Sequence, residues 1–551
     1  MYRLKSIKLY FFSILKLFFL SFRNYYFGSK FYNNKLITFI PNRIFYNPST
    51  HLSASLSSFS SEFYKITNTT PQLLWTTDIK EKQKFENLHS FLWLAKLDRK
   101  NSKTITKNII ESWINNFFNF ESNSWEMEIT ARRIIAWASN TDITLEGSDD
   151  EYRKKFFLSL VKQSNFLAKN LKNLSYDPSK IICCSALILS GIIFKENEIN
   201  YKIGIKELEK VIKNFFDEDG FPKSRNPEEV FICIKYLILI REWFKESQNI
   251  IPDFLNEIIS KCGNCYAMLS SSNNQFPLFN GANEINHKDY DIFLKNLKYK
   301  FINKKNEFAG LVKVKKKKLE FVIDCGNPPS EDFVKNYQAG CLGFELSSNK
   351  QKIICNAGYG KYLPVKMSLL SRSTAAHSSL YLNDTSSCIF QKNKFINMVY
   401  GNSIIQKHKV IEKNYTENNE FYSIIASHNG YEKNFGYVHT RSIKILKKED
   451  KIFGIDELKK TKDCPNSIFY FVRFHIYPNT KIVKTKAGNS ILISLSNGEG
   501  WKLESKTNEL QIERNIFFGS KGKIINNESV AISGNIKKDI ISIEWLIEKI
   551  N

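Results

Sequence analysis

The chain has 551 residues, enough for two or three domains with large cores, and so is not a disulfide-stapled miniprotein. With 42% hydrophobic and 25% charged residues, 23 Gly and 13 Pro, its composition excludes disordered, collagenous and multi-span membrane proteins. Its 80 Lys+Arg against 55 Asp+Glu leave a net +25, which points to a polyanionic partner, although much of the excess is Lys scattered among Asn, Ile and Phe, as AT-rich coding alone produces.

Residues 1–50 form a basic, apolar segment. LYFFSILKLFFLSF at 9–22 stands behind Arg3, Lys5 and Lys8 like the n- and h-regions of an export signal, but Lys16 interrupts it and no small-residue cleavage site follows. It is short for a bilayer span. An export signal, an interfacial helix making peripheral membrane contact, and a core-docking helix all remain open.

Over residues 51–300 apolar positions recur at helical spacing: Leu88, Phe91, Leu92 and Ala95; Ile110, Trp113, Ile114 and Phe117; Val230, Cys233, Ile234 and Leu237. Glu128 and Arg132 make a favourable i,i+4 pair in SWEMEITARRIIAW, and Arg133 points about 100° further round. In SRNPEEV, Asn226 fits an N-cap and Pro227 the first helical position, which leaves Arg225 less explained. Asn280 before Gly281 reads as a turn or a ligand contact.

Over residues 305–551 the pattern becomes short β-branched and aromatic runs between Gly, Asn, Asp and Pro: LEFVID, CLGFELS, KIICNAG, SLYLND, FYSIIAS, RSIKIL, FYFVRFHIYP and SILISLS. The run KVKKKK at 313–318 reads as the exposed end of one strand turning into the next. If 377–381 is extended, His377, Ser379 and Tyr381 share one face by period two; Arg473 and His475 likewise share the face opposite Val472 and Phe474. The ten cysteines fall mostly within apolar runs and read as small buried hydrophobes; Cys262–Cys265 has no second pair at zinc-finger spacing. The expected architecture is multidomain α+β: helices over 51–300, then a β-sandwich over 305–551. No phosphate-binding glycine loop or nucleic-acid module appears.

Several phrases in order, SWEMEITARRIIAW, DGFPKSRNPEE, PLFNGA, VIDCGNPP, AGCLGFELSS, RSTAAHSSLYL, ASHNGY, GYVHTRSI, GIDEL and VRFHIYP, resemble a divergent bacterial branch of the heparinase II/III family of polysaccharide lyases. The resemblance implies an N-terminal incomplete (α/α) toroid of helical hairpins followed by a C-terminal antiparallel β-sandwich, with an anionic, uronate-containing polysaccharide lying between them and cleaved by β-elimination. That chemistry requires a cation or amide to neutralise the sugar carboxylate, a base such as Tyr or His for the C5 proton, and an acid for the leaving oxygen. The resemblance makes His377, Tyr337 and Arg225 the candidate catalytic residues, and Arg133, Asn226, Asn280, Arg372 and Tyr381 the candidate substrate contacts.

The departures from the family pattern are also legible. The expected Asn-His and Tyr-His pairs of the helical half are absent. Asn336, Tyr337, Gln338, Ala339 and Gly340 replace a His-x-His-x-Asp phrase, and Asn356 stands where an Asp is usual. Two of three ligands of the family's structural zinc are thus missing, so no bound metal and no cofactor are expected. Two functions follow: an eliminating lyase with rearranged residues, or a non-catalytic protein that binds acidic polysaccharide or assists envelope assembly on the same fold. Both suit a cell-envelope or periplasmic location, with the cytoplasm as the alternative.

Overall fold

The computed structural model describes residues 2–56, 70–76, 79, 81–401, 403–463, 467–506, 508–536 and 538–550. It divides into two compact units, Met1–Gly220 with Phe231–Gly263, and Phe221–Val230 with Asn264–Asn551.

The first unit is helical. Helices Lys103–Phe117, Met127–Ala138, Asp150–Asn170, Pro178–Ile193 and Glu198–Phe215 follow one another, and each packs on others in the series. Apolar residues at i, i+3 and i+4 supply the buried stripes, as in Ile109, Ile110, Trp113 and Ile114. Asp177 caps the helix that begins at Pro178, accepting from the Lys180 amide at 3.3 Å. That helix and Glu198–Phe215 cross so closely that a Cβ on Gly191 would meet the Tyr201 Cβ at 2.4 Å, so only glycine fits there.

Aromatic rings fill the centre. Trp137 sits edge-on to Phe91 and Trp113, both at 5.4 Å, and stacks on Phe156 at 5.5 Å. One element departs from the sequence pattern. Leu88, Phe91, Leu92 and Ala95 do not lie on one helix: Lys82–Ser90 ends at Phe91, whose φ of 57° turns the chain left-handed into the 3₁₀ segment Leu92–Lys96. Burying the Phe91 ring among Trp93, Trp113 and Trp137 outweighs the cost of an unfavourable φ.

The second unit is built on two antiparallel sheets. One runs in the order Glu307–Phe308, Leu311–Lys316, Leu319–Asp324, Phe344–Ser348, Gln351–Cys355, Phe469–Ile476, Ile525–Asn535, Leu510–Phe517, with Leu380–Leu382 also paired to Phe469–Ile476. The other runs Lys481–Lys484, Ser490–Ser494, Gly500–Ser505, Ile540–Lys549, Lys451–Lys460, Tyr437–Leu446, Phe421–His428, Val410–Glu417. Their inner faces share one apolar core, which includes Phe321, Phe344, Leu346, Val472, Phe474, Ile443, Ile452, Trp545 and Ile547.

Inner strands of the second sheet alternate cleanly. Tyr437–Leu446 buries Tyr437, His439, Arg441, Ile443 and Ile445 and leaves the intervening residues partly open. Strands Leu319–Asp324 and Phe344–Ser348 are buried throughout, because residues 270–278 cover the other face of their sheet. Lysines and glutamates make that cover. Lys313 pairs with Glu320 at 3.2 Å and donates to Ser270 O, while Lys352 pairs with Glu345 at 3.1 Å and donates to Phe276 O. The basic run at 313–318 is therefore a hairpin turning at Lys317–Lys318, as expected, but Lys313 and Lys316 are buried rather than exposed. Each is held by a carboxylate, Lys316 by Asp450 at 2.8 Å.

Arg441 and Asp456, cross-strand neighbours in the second sheet, tie the two sheets together. The guanidinium grips Asp456 with Nε at 2.7 Å and Nη2 at 2.9 Å, and Nη1 donates to Leu342 O and Ser378 O, both at 2.7 Å. Trp545 Nε1 donates to the same carboxylate at 2.9 Å. Burial opposes the charge on Asp456, but Arg441 and His439 hold its carboxyl far below the usual range. A strand earlier, a row of neutral imidazoles ends on this acid. The Gly430 amide donates to His428 Nδ1, leaving His428 Nε2–H for His439 Nδ1 at 3.3 Å and His439 Nε2–H for Asp456 at 2.7 Å. Asp456→Ala leaves Arg441 charged, buried and unpaired. Denaturant unfolding should show a loss of about 3–5 kcal/mol, against about 1 kcal/mol for a surface acid such as Glu457.

Candidate functional site

The residues that the resemblance singles out gather around the end of strand Leu319–Asp324, and they do so inside the protein. Arg225 adopts φ 63° just ahead of helix Pro227–Glu246, and its guanidinium enters a slot walled by Gly310 and Gly326. A Cβ on Gly326 would stand 2.1 Å from Arg225 Nη2, so the glycine is required for the close approach. Nε donates to Ala309 O at 2.6 Å, Nη1 to Asn327 O at 3.0 Å, and Nη2 to Asp324 Oδ1. Burial works against its charge, but Asp324, with Tyr337 nearby, keeps the guanidinium above its ordinary pKa.

Asp324 gathers the surrounding backbone. It also accepts from the Gly326 amide at 2.9 Å and from Asn280 Nδ2 at 3.2 Å, and Asn280 donates to Arg225 O at 3.1 Å. Asn280 takes φ 54° and Gly281 φ 99°, the left-handed pair that closes the PLFNGA turn. Asn226 caps the following helix, its Oδ1 accepting from the Glu228 amide at 2.8 Å. Gln338 joins three segments, accepting from the Gly281 amide at 2.9 Å and donating to Gly358 O at 2.9 Å and Ser371 O at 2.6 Å.

The candidate acid and base groups are sealed beside this network. Tyr337 is fully buried and its hydroxyl meets no hydrogen-bond partner. Burial, with Cys388 and Asp324 adding to it, pushes the phenol well above its ordinary pKa, the reverse of what a proton-abstracting tyrosine needs. Tyr337 is thus a core residue with Val334, Ala339 and Cys388.

His377 is also fully buried. Its Nδ1 lies 2.9 Å from Ser373 O and so carries the proton, leaving the Nε2 lone pair unpartnered against Gly340. Burial lowers its pKa to about 4. His377, Ser379 and Tyr381 do not form one polar face. The Ser379 amide bonds back to His377 O at 2.8 Å, a tight turn that breaks the period of two before strand Leu380–Leu382 begins. Ser379 Oγ then bonds Cys341 O, and Tyr381 stacks on Phe471 at 5.1 Å.

The remaining candidates are structural by their contacts. Arg372 donates to Tyr337 O at 2.7 Å and Val334 O at 3.1 Å and lies over the Phe390 ring at 3.9 Å. Arg133 belongs to the helical unit and is closed within it: it donates to Gln163 Oε1, His89 O and Ser124 O and covers Trp113 at 4.0 Å. His475, expected on an open strand face, is buried, with Nε2 2.9 Å from Ala375 O and Nδ1 3.0 Å from Asn515. Among the described residues no three His, Cys, Asp or Glu side chains are placed to hold a metal, and nine cysteines are buried free thiols.

Sequence reasoning missed Asp324, the group that organises the site. Its signal was an acid ending the apolar run FVI of the strand phrase LEFVID, since a buried carboxylate at such a place demands a cation. It also missed the more open ground of this unit. A recess of about 320 Å³ is lined by Ser270, Asn303, Asn306, Lys313, Lys315, Tyr415, Glu417 and Tyr422 among others. Here Tyr415 Oη meets Asn306 Nδ2 at 3.1 Å, and Lys447 lies over Tyr422 at 4.6 Å.

Helices followed by stacked antiparallel sheets place the chain in the toroid and β-sandwich class of polysaccharide lyase folds. Residues 304–546 match the family Heparinase II/III-like, C-terminal. The structure is similar to heparinase III (TM-score 0.67, 15% identity, 87% of this chain and 79% of that one). It is also similar to a mutant heparan sulfate lyase of Pedobacter heparinus (TM-score 0.63, 13% identity, 94% and 87%). A curated relative, FtsZ-localized protein C of Caulobacter vibrioides (strain NA1000 / CB15N), is 20% identical over 487 residues, 84% of this chain and 81% of its own.

The sealed histidines set a pH dependence. His377 and His408 are both lowered to about 4 by burial, against 6.5 when unfolded. Between these values the unfolded chain binds more protons than the folded one, so stability falls as pH falls through that window. Near pH 5 each histidine should cost about 2 kcal/mol relative to neutral pH. Urea unfolding of the intact protein at the two pH values measures this, and equal midpoints would mean that the imidazoles reach solvent.

Proposed function

We propose that the protein binds acidic, uronate-containing polysaccharide on a polysaccharide lyase fold without carrying out elimination at the Arg225, Tyr337 and His377 centre. One observation carries this reading: every side chain assigned to that chemistry is buried, and the arginine that would neutralise a sugar carboxylate is already neutralised by Asp324. A base must come within hydrogen-bond reach of the proton it takes, and neither Tyr337 nor His377 presents its free atom to solvent.

The net charge of +25 and the family match of residues 304–546 support an acidic sugar partner. The recess around Tyr415 and Tyr422 supplies what such a partner requires: aromatic faces for sugar rings, amides at Asn303 and Asn306, and the ammonium of Lys315, which is 57% exposed and shares the single carboxylate of Glu320 with Lys313, leaving one positive charge over. The relative whose name records localisation with FtsZ, and no reaction, supports a role in organising the envelope rather than degrading a polymer.

A second reading is favoured by the fold itself, since heparinase III and the heparan sulfate lyase share it. In that reading the protein is a lyase whose reacting groups lie at positions other than the predicted centre.

The two readings separate in one experiment. The full-length protein is incubated with a panel of acidic polysaccharides, and the ultraviolet absorbance of the unsaturated uronate product is followed alongside salt-dependent binding. Binding without product is expected, and Lys315→Glu with Tyr422→Ala should weaken it about tenfold or more. Product formation that survives His377→Ala would instead establish a lyase with a different centre.

A further inference from the structure

The N-terminal helix Tyr2–Gly28 is anchored near its C-terminal end. Phe27, near its C-terminus, is buried against Tyr32 at 4.6 Å, Phe120 at 5.2 Å and Phe166 at 5.8 Å. Asn33 secures the same end, donating to Phe27 O at 2.8 Å and accepting from the Phe120 amide at 3.0 Å. Ahead of that anchor the large side chains are open. Phe11 is 59% exposed, Phe18 and Phe19 67%, and Phe22 64%, and Ile7, Ile14 and Tyr25 are exposed as well. So many open rings on one helix mark a surface that meets something apolar.

The angular order of the helix says what kind. At about 100° per residue, Ile7, Phe11, Ile14, Phe18, Phe22 and Tyr25 fall within an arc of roughly 80°. Lys16 and Arg23 fall within about 20° of one another on the other side, with Phe12 and Phe19 beside them. No Asp or Glu occurs before Glu62, whereas Arg3, Lys5, Lys8, Lys16, Arg23, Lys30, Lys35 and Arg43 all do. Among the described residues no helix is long and apolar enough to cross a membrane. A helix with an exposed apolar arc, cationic charges only and no acidic residue fits the plane of an anionic bilayer surface. There the rings enter the acyl boundary and the ammonium and guanidinium groups meet lipid phosphates.

We infer that this helix holds the protein to an anionic lipid bilayer, lying along the membrane surface and not across it, while Phe27 and Asn33 fix it to the helical unit. The anchor is independent of polysaccharide binding and uses none of the residues of the recess.

Flotation of the full-length protein with phosphatidylcholine vesicles, with and without phosphatidylglycerol, tests this. Capture by the anionic vesicles is expected, weakening as salt rises. Phe11→Ser with Phe18→Ser and Phe22→Ser should abolish it, and Lys16→Glu with Arg23→Glu should reduce it by about tenfold or more. All variants should keep the wild-type melting profile and polysaccharide binding. Equal capture by neutral and anionic vesicles, or capture that survives the triple serine variant, overturns the inference. So does a protein that ignores vesicles and runs as a dimer that the triple variant converts to monomer, because the apolar arc would then be covered by a second copy.

Discussion

The pairing of Arg225 with Asp324 is the constraint from which the centre of the second unit follows. A carboxylate at the end of a fully buried strand cannot stand alone, because removing it from water costs far more than a fold's net stability unless a cation and hydrogen bonds replace the solvent. Arg225 supplies the cation, and Gly326 and Asn280 supply the bonds. Meeting that demand fixes three other features. Gly310 and Gly326 must lack side chains, Arg225 must adopt a left-handed φ, and the PLFNGA turn must bring Asn280 to the same carboxylate. The pair also removes from circulation the guanidinium best placed to meet a uronate.

The same choice recurs elsewhere. Arg133, Arg372 and Arg441 are fully buried, and their donors go to backbone carbonyls, neutral side chains or Asp456. Lys313 and Lys352 are buried against glutamates. The net +25 therefore does not map onto a cationic groove made of arginine. The planar fork of arginine has gone into holding loops and sheets together, where several fixed donors can each find an acceptor, and lysine dominates the open surface. An acidic partner meeting that surface encounters mobile, strongly hydrated ammonium groups. These bind with salt sensitivity and little geometric selectivity, which suits adhesion to a polymer better than polarisation of one carboxylate.

How much of this was legible in the sequence depended on the kind of signal. The change from a helical to an alternating period near residue 300 reproduces the architecture, because periodicity reports which face is buried. Helix Pro227–Glu246 begins where Asn226 and Pro227 write its start, because capping is local chemistry. The break at Phe91 was not legible, since the ring's burial against Trp113 and Trp137 is decided by residues far along the chain. The burial of the candidate site was not legible for a related reason. Polar residues in a resembling motif carry no mark of exposure, and only an acid such as Asp324, placed at the end of the run FVI, hints that Arg225 is already occupied.

The replaced phrase at 336–340 shows how the backbone of this fold is held where the family's usual charged residues are absent. In the pattern this chain resembles, Gln338 stands where a histidine is usual and Gly340 where an aspartate is usual. The amide of Gln338 offers both a donor and an acceptor, and it holds residues 281, 358 and 371 together with three bonds and no charge. Gly340 leaves room for the His377 ring, since a Cβ there would lie 2.4 Å from its Cδ2. With the neighbouring charge gone, His377 sinks into a neutral, buried state, and the backbone of the loops keeps its course. A neutral cross-link needs no exact protonation state and no bound ion, so it secures the fold over a wider range of conditions than the group it stands in for. It cannot move a proton, however, and an aspartate restored at 340 would collide with the imidazole that elimination would require.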